Sequence, residues 1–167
     1  DESPDDEVGE VQIRGPHVFK GYWQMPQKTA DSFTADGWLR TGDLATVDSE
    51  GYVNIVDRKK DMIVTGGENV YSTEVENVLY MHPKVFEAAV FGVPDEKWGE
   101  RPLMIVTLKP EYREKITTDD LKEHMKKFAE KGKLPKYGVP DKFEFVDTIP
   151  KTSVGKLDKK NLRKIYG

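Results

Sequence analysis

The sequence has no cysteine and only three histidines, and these shortages exclude whole classes of chemistry. Without cysteine the chain has no disulfide, no thiol nucleophile and no thiolate ligand for a metal. Its histidines, at 17, 82 and 124, are too far apart in the sequence to suggest a metal cluster, so we predict no metal site. The chain also lacks the roughly 18 to 20 consecutive apolar residues that cross a bilayer, and its acidic beginning is unlike a secretory signal. We therefore expect a cytoplasmic protein with no transmembrane segment.

Basic residues are scarce in the first third of the chain. Residues 1–57 hold four basic and twelve acidic residues, a net charge of −8, whereas residues 58–167 hold twenty-two basic and eighteen acidic residues, a net charge of +4. A change of this size near position 58 predicts two structural units. The second unit could meet an anionic ligand, but it lacks the large basic excess and interleaved aromatic residues that are typical of nucleic-acid binding.

The first unit has the pattern of a small antiparallel β structure. Val8–Arg14 alternates apolar and polar residues, and residues 42–47 and 52–57 flank a D-S-E-G turn that ends at Gly51. A short helix is predicted over residues 26–33, with a proline in its first turn. These strands are too few for a complete independent core.

The second unit alternates strands and helices. One helix is predicted over 73–81, opened by a capping box of Thr73 and Glu76, and another runs from a cap at Thr117 or Thr118 to about Lys131. The remaining predicted elements are strands over 61–65, 85–93, 103–108 and 143–146 and a terminal helix over 158–166. The fold class is therefore α+β, a small antiparallel β subdomain (1–59) followed by a compact α+β domain (60–167).

Asp43 ends the segment T-G-D at the start of a predicted strand. A carboxylate held after a tight turn presents two acceptor oxygens in a fixed direction, which suits the vicinal hydroxyls of a ribose. The alternative is an Asx-type turn in which Asp43 bonds its own backbone.

The segment D-R-K-K-D, residues 57–61, reads as an exposed connection at the point where the charge balance changes. An interdomain hinge is expected in such a place. Arg58 could reach a phosphate or ribose and Lys60 could absorb a backbone rotation, although a plain solvated linker has the same composition.

Gly66, Gly67 and Glu68 form a turn that allows a narrow ligand to approach the backbone, because glycine has no side chain to block it. Such a pair is also common in ordinary turns. Trp98 lies in a W-G-E-R loop, where it could either contact a ligand or pack over the edge of the sheet.

Lys156 follows Gly155 in a segment that Pro150, Thr152 and Ser153 keep from forming regular structure. An ammonium group on a flexible loop suits chemistry on phosphates or carboxylates, where negative charge is met and then released. A solvated lysine near a basic end of the chain is the alternative interpretation.

Taken in order, these segments resemble the C-terminal third of the adenylate-forming superfamily, and most of all its fatty- and medium-chain acyl-CoA synthetases. The resemblance covers essentially the whole chain. The segments that carry it are G-E-V-Q-I-R-G-P (9–16) with G-Y-W (21–23), T-G-D (41–43), D-R-K-K-D-M-I (57–63), G-G-E-N-V-Y (66–71), E-V-E (74–76), W-G-E (98–100) and P-K-T-S-V-G-K (150–156). Ser72 departs from the pattern, since many relatives have proline there.

The resemblance implies a ligase that acts in two steps. A carboxylic acid, fatty or other, first reacts with Mg²⁺-ATP to give acyl-adenylate and pyrophosphate, and CoA then displaces AMP. By this analogy Lys156 serves adenylation, Asp43 and Arg58 bind the nucleotide, and Lys60 is the hinge. After the small domain rotates, the path of the pantetheine arm of CoA is lined by Gly66, Gly67, Glu68 and Trp98.

The resemblance also implies that most of such an enzyme lies outside these residues. A large N-terminal domain carries the phosphate loop, the acyl pocket and the adenine pocket, and no phosphate-loop sequence occurs here. We therefore expect a fragment that is inactive alone and whose first partner is that missing domain.

Two alternatives remain open. One is an adenylation domain that loads a carrier protein instead of CoA. The other is a non-enzymatic module that binds polyanions through the basic end of the chain, namely Lys151, Lys156, Lys159, Lys160, Arg163 and Lys164.

Overall fold

A computed structural model describes residues 7–167, which form two compact units divided between Lys60 and Asp61. Both units combine helices with antiparallel strands, which confirms the predicted α+β class. Within these described residues no helix has the length and apolar character needed to span a bilayer. The assignment of the two units to an adenylating domain and a mobile domain stays a prediction.

The first unit is a three-stranded antiparallel sheet in the order β1-β2-β3. Its elements are β1 (Gly9–Ile13), α1 (Pro26–Asp31), β2 (Leu39–Val47) and β3 (Val53–Arg58). The predicted hairpin between β2 and β3 is present. Its turn is closed by Asp48, whose Oδ1 accepts hydrogen bonds from the backbone N–H groups of Glu50 (3.0 Å) and Tyr52 (2.9 Å).

The second unit is a five-stranded sheet with helices on both faces. Its strands are β4 (Ile63–Thr65), β5 (Glu68–Val70), β6 (Val85–Asp95), β7 (Gly99–Leu108) and β8 (Lys142–Phe145), and its helices are α2 (Ser72–Tyr80), α3 (Thr118–Glu130) and α4 (Lys159–Tyr166). The strand order is β5-β4-β7-β6, and β8 pairs parallel to β7. Strand β7 is the centre of the sheet, since it pairs with β4, β6 and β8, and its long hairpin partner β6 forms one edge.

Two helix starts test the capping predictions. Thr117 caps α3, and a reciprocal capping box joins it to Asp120, as the sequence suggested for one of two threonines. The capping box predicted at Thr73 is wrong, because α2 begins at Ser72 and its N-cap residue, Tyr71, makes no side-chain cap. The Glu76 carboxylate is used elsewhere, since it accepts a hydrogen bond from the Val90 N–H (2.8 Å).

The hydrophobic core of the second unit consists of two clusters, one on each face of the sheet. Along β6, Ala88 and Val90 belong to the first cluster, under α2 and α3, whereas Ala89 and Phe91 belong to the second, together with Leu162 of α4. Successive side chains of a strand point to opposite faces, so a strand covered on both sides needs apolar residues in a row. This explains the unbroken apolar runs of β6 and β7.

Candidate functional site

Asp43 and Arg58 face each other across the β2–β3 pairing. The Arg58 Nε donates a hydrogen bond to Asp43 Oδ1 at 2.9 Å, and the aspartate side chain keeps a third of its surface exposed. The Thr41 hydroxyl accepts from the Asp43 N–H (3.1 Å) and donates to the Val11 carbonyl (2.8 Å). The threonine therefore makes the turn contact that the alternative interpretation gave to Asp43. The carboxylate is left fixed and accessible to a ligand.

The charged segment 57–61, whose first two residues belong to β3, is held more firmly than the sequence suggested. Asp57 and Asp61, expected in an exposed connection, are both buried. The Lys59 N–H donates to the Gly42 carbonyl (2.8 Å), and its ammonium pairs with Glu10 (2.9 Å). Lys60, the predicted hinge, is the last residue of the first unit. Its role as a hinge stays a prediction.

Gly66 and Gly67 form the tight turn between β4 and β5. Their φ angles are 61° and 85°, and positive φ at both central residues is the requirement of the turn that best joins two antiparallel strands. Glu68 pairs with Thr65 directly after the turn. Sequence reasoning recognised this turn, but it missed β5, which is only three residues long.

Trp98 lies against this glycine turn. Its carbonyl accepts a hydrogen bond from the Gly66 N–H (2.8 Å), and a Cβ atom at Gly66 would come within 2.8 Å of the indole ring. The loop is held by Asp95, whose Oδ1 accepts from the Trp98 N–H (2.9 Å). The indole stays 45% exposed. The structure therefore brings together the glycine turn, Glu68 and an accessible aromatic surface.

Tyr137 and Arg101 belong to the same surface, and sequence reasoning gave neither a role. Partial burial, followed by the charge of Glu68 and a hydrogen bond with that carboxylate, raises the pKa of the Tyr137 hydroxyl. The Arg101 guanidinium donates to the Tyr137 carbonyl (3.1 Å) and pairs with Asp141 (2.5 Å). Only the position of Arg101 directly after W-G-E could have pointed to it.

Lys156 lies at the end of a tight, exposed loop. The Thr152 N–H donates to the Lys156 carbonyl (2.7 Å), and the Lys156 N–H donates to the Thr152 hydroxyl (3.2 Å). Lys151 and Leu157 pair as an isolated β-bridge at the base of the loop. In the part of the chain that the structure describes, the Lys156 ammonium forms no ion pair. A fixed backbone thus carries an unneutralised cation into solvent.

The Lys156 loop and the Trp98 surface lie toward opposite ends of β6. The loop base is tied to this strand by the ion pair of Lys151 with Glu87 (2.7 Å), whereas Trp98 is tied to Asp95 at the other end. Asp95 lies eight positions after Glu87, which is about 27 Å at the rise of an antiparallel strand. The structure therefore does not bring Lys156 together with the glycine turn.

The described residues contain no group of three or more side chains arranged to hold a metal ion. The basic end of the chain is also not a continuous cationic patch. Lys151 pairs with Glu87, Lys159 with Glu76 and Arg163 with Asp61. Half of the six cations that could have bound a polyanion are therefore neutralised within the fold.

Comparison with known proteins gives a family and several close relatives. Residues 74–156 match the AMP-binding enzyme C-terminal domain. The chain is 47% identical to the 2-methylpropanoate–CoA ligase of Humulus lupulus over 93% of its own length and 27% of that protein. It is 45% identical to the long-chain-fatty-acid–CoA ligase of Thermus thermophilus over 95% of its length and 28% of that protein.

Solved structures agree with this assignment. ATP-bound MatB from Rhodopseudomonas palustris matches with a TM-score of 0.83 and 38% identity, over 98% of this chain and 31% of that one. Apo MatB from the same organism matches over the same shares with a TM-score of 0.65 and 39% identity. The chain spans less than a third of the length of these relatives. It belongs to the adenylate-forming superfamily, as the C-terminal portion of an enzyme related to the CoA ligases.

Proposed function

We propose that this chain is the C-terminal portion of an AMP-forming acyl-CoA ligase, with a fatty or other carboxylic acid, ATP and CoA as substrates. The observation that carries the proposal is its near-equal identity, 47% and 45%, to two ligases named for different acids. Since both match over more than nine-tenths of the chain, these residues serve a step common to both enzymes rather than the choice of acid. The rest of the parent protein forms the acyl and adenine pockets.

In the first half-reaction Asp43 and Arg58 bind the nucleotide. Asp43 accepts hydrogen bonds from the ribose hydroxyls, and Arg58 supplies positive charge toward the phosphates while its hydrogen bond orients the carboxylate. ATP brings Mg²⁺ with it, and we assign no residue of this chain to the ion. The reaction takes place in the cytoplasm, where ATP and CoA are available.

Lys156 supplies the cation that adenylation needs. When the carboxylate attacks the α-phosphate, negative charge gathers on the reacting oxygens, and an ammonium group placed there stabilises the transition state. An unneutralised lysine on a fixed turn is suited to this task, because no ion pair has to be broken before it acts.

The second half-reaction uses the other end of the sheet. Gly66, Gly67 and Glu68 let the narrow pantetheine arm pass close to the backbone, and Trp98 forms an apolar wall beside it. Lys60 is the hinge about which the second unit turns between the two steps. The unequal TM-scores to ATP-bound and apo MatB support such a motion in the family, because one protein's corresponding region has two shapes.

The proposal is tested by replacing Lys156 with alanine in the parent enzyme. We expect Lys156→Ala to suppress ATP-dependent adenylate formation by about 10²-fold or more, which is typical for a lost electrostatic contact to a transition state. Thioester formation from pre-made acyl-adenylate should be spared. Lys133→Ala is the matched control, since Gly132-Lys133-Leu134 repeats the Gly-Lys-Leu sequence on another exposed turn with a positive φ at its glycine.

Equal loss of both half-reactions in Lys156→Ala, or an equal loss in Lys133→Ala, would contradict the role of Lys156. The acceptor is tested separately: a parent enzyme that transfers its acyl group to a phosphopantetheinyl carrier but not to free CoA is a carrier-loading enzyme. Tight, salt-sensitive binding of arbitrary polyanions without any nucleotide preference would support the non-enzymatic alternative instead.

A further inference from the structure

Helix α4 follows Lys156 after two residues and is too short to hold its own position. It has eight residues, whereas isolated helices below about 12 to 15 residues are marginal in water. Leu162 is its one buried side chain, and it packs in the same cluster as Phe91. Tyr166, one helical turn further on and partly buried, packs against the same cluster. Two apolar contacts along one face do little to hold an eight-residue helix in place, so polar contacts contribute to the orientation of α4.

Lys159 provides the first of these contacts. Its ammonium donates to the Ser72 hydroxyl (2.8 Å) and pairs with Glu76 (2.8 Å), and the side chains of the two charged residues are only 14% and 13% exposed. Glu76 in turn accepts from the Val90 N–H (2.8 Å). The first turn of α4 is therefore tied both to α2 and to the edge strand β6.

Arg163 provides the second contact, one helical turn further along. Its guanidinium donates to the Asp61 carboxylate at 3.0 Å and lies over the Phe91 ring, 5.9 Å from its centroid. Asp61 is buried and is the first residue of the second unit. The second tie thus joins α4 to the residue directly after the proposed hinge.

The other two cations of α4 are not held by the fold. Lys160 and Lys164 are exposed, although they lie beside Lys159 and Arg163 in the same short helix. Residues four apart share one face of a helix, so the two paired cations flank Leu162 on the inward face. The helix uses two of its four cations within the fold and leaves the other two in solvent.

A displacement of α4 is passed directly to Lys156. Asp158 caps the helix by accepting from the Asn161 N–H (3.0 Å), and its own N–H donates to the Pro150 carbonyl (2.8 Å). Pro150 and Asp158 bracket the Lys156 loop, which is closed by its own hydrogen bonds. The loop and the helix therefore move as one piece.

We propose that Lys159 and Arg163 are positioning residues for Lys156, acting through their ion pairs with Glu76 and Asp61. The proposal rests on the adenylation role proposed for Lys156. Neither residue touches substrate in this scheme. Each fixes the helix from which the Lys156 loop extends, and misplacing a reacting group by about an ångström costs on the order of 10²-fold in rate.

The test compares half-reactions in the parent enzyme. Lys159→Gln should lower the rate of adenylate formation at least about tenfold, within the range that such a misplacement allows, and leave thioester formation from pre-made acyl-adenylate unchanged. Lys159→Arg should restore most of the rate, because the guanidinium keeps the charge and can reach Glu76. Lys160→Gln, on the adjacent exposed lysine, is the control and should have the wild-type rate. The same comparison at the second contact uses Arg163→Gln as the test variant and Lys164→Gln as its control.

A double mutant distinguishes positioning from general damage. If Lys159 acts through Lys156, then Lys159→Gln causes no further loss of adenylation in a Lys156→Ala background. Additive losses, or a Lys159→Gln variant that slows both half-reactions equally, would overturn the proposal. So would wild-type adenylation rates in both Lys159→Gln and Arg163→Gln.

Hydrogen exchange in the 167-residue chain gives a readout that does not depend on activity. The amides of Gly155 and Lys156 are bonded to Thr152, and we expect both to exchange faster in Lys159→Gln than in Lys160→Gln. Unchanged exchange would mean that the ion pair does not hold the loop. If Lys156→Ala itself spares adenylation, the proposed function fails, while the exchange result still decides whether α4 positions the loop.

Discussion

Replacing each glycine of the β4–β5 turn with alanine separates two effects that the sequence alone presents as one. Gly66 and Gly67 both have positive φ angles, 61° and 85°. A Cβ atom at Gly66 would lie 2.8 Å from the Trp98 ring, whereas a Cβ atom at Gly67 would meet nothing within 4 Å. Gly67→Ala is therefore a matched control that reports backbone strain alone.

The magnitudes follow from these two geometries. An L-residue in the left-handed region costs about 1–2 kcal/mol, and Gly67→Ala should lose that amount of unfolding free energy. Gly66→Ala should lose a further 1–3 kcal/mol, roughly the cost of an added methyl in a close contact. Trp98 is partly exposed, so its ring can shift and the excess should fall toward the lower figure.

The assay is urea unfolding of the chain, followed by circular dichroism. With a slope of about 1–3 kcal/mol per molar urea, an excess of about 1 kcal/mol separates the two midpoints by roughly 0.3 to 1 M. The comparison is repeated in a Trp98→Ala background, where the excess cost of Gly66→Ala should disappear. Equal costs of the two substitutions beside Trp98, or an excess that survives without the indole, would refute the contact as the cause.

Two further predictions concern charge. Burial, followed by the charge of His124, lowers the pKa of His82 below its ordinary value of 6.5. The unfolded chain therefore takes up a proton that the folded chain does not, and stability should fall as the pH drops below about 6.5. His82→Gln should flatten this part of a plot of urea midpoint against pH. In the parent enzyme Asp43→Asn should raise the KM for ATP about tenfold to a hundredfold, the value of a hydrogen bond to a charged group, whereas Asp48→Asn, which alters only the hairpin turn, should leave that KM near the wild-type value.

The sequence predicted an element correctly where its cap, the partner of that cap and its apolar face all lie within one short segment. The helix after Thr117 has its cap, its capping partner Asp120 and its apolar face within one stretch of sequence, and all three are present. The box at Thr73 and Glu76 has a similar local pattern and was wrong. The Glu76 carboxylate is taken by Val90 and Lys159, which tertiary folding brings to it from distant parts of the chain.

In the candidate site, too, contacts within one hairpin could be predicted from the sequence and contacts between distant segments could not. Pairing of Asp43 with Arg58 follows from a hairpin whose turn is visible in the sequence. The contact of Trp98 with Gly66 does not, because it depends on β4 pairing with the start of β7, where Thr65 lies opposite Gly99. No periodicity in either segment specifies that pairing.

The separation of Lys156 from Trp98 is the strongest physical reason to expect motion in the parent enzyme. Both groups belong to one unit whose sheet has a core on each face, so the unit cannot bend to bring them together. The anchors of these groups on β6, at Glu87 and Asp95, are about 27 Å apart along the strand, far beyond the reach of a side chain. In the proposed function, adenylation joins a carboxylate oxygen to the α-phosphate, and thioester formation then displaces AMP from the adjacent carbonyl carbon, so both steps act on one carboxyl group. If Lys156 and Trp98 have the roles proposed for them, a rigid unit can serve both steps at that carboxyl group only by turning as a whole, about a hinge beside its first residue, Asp61.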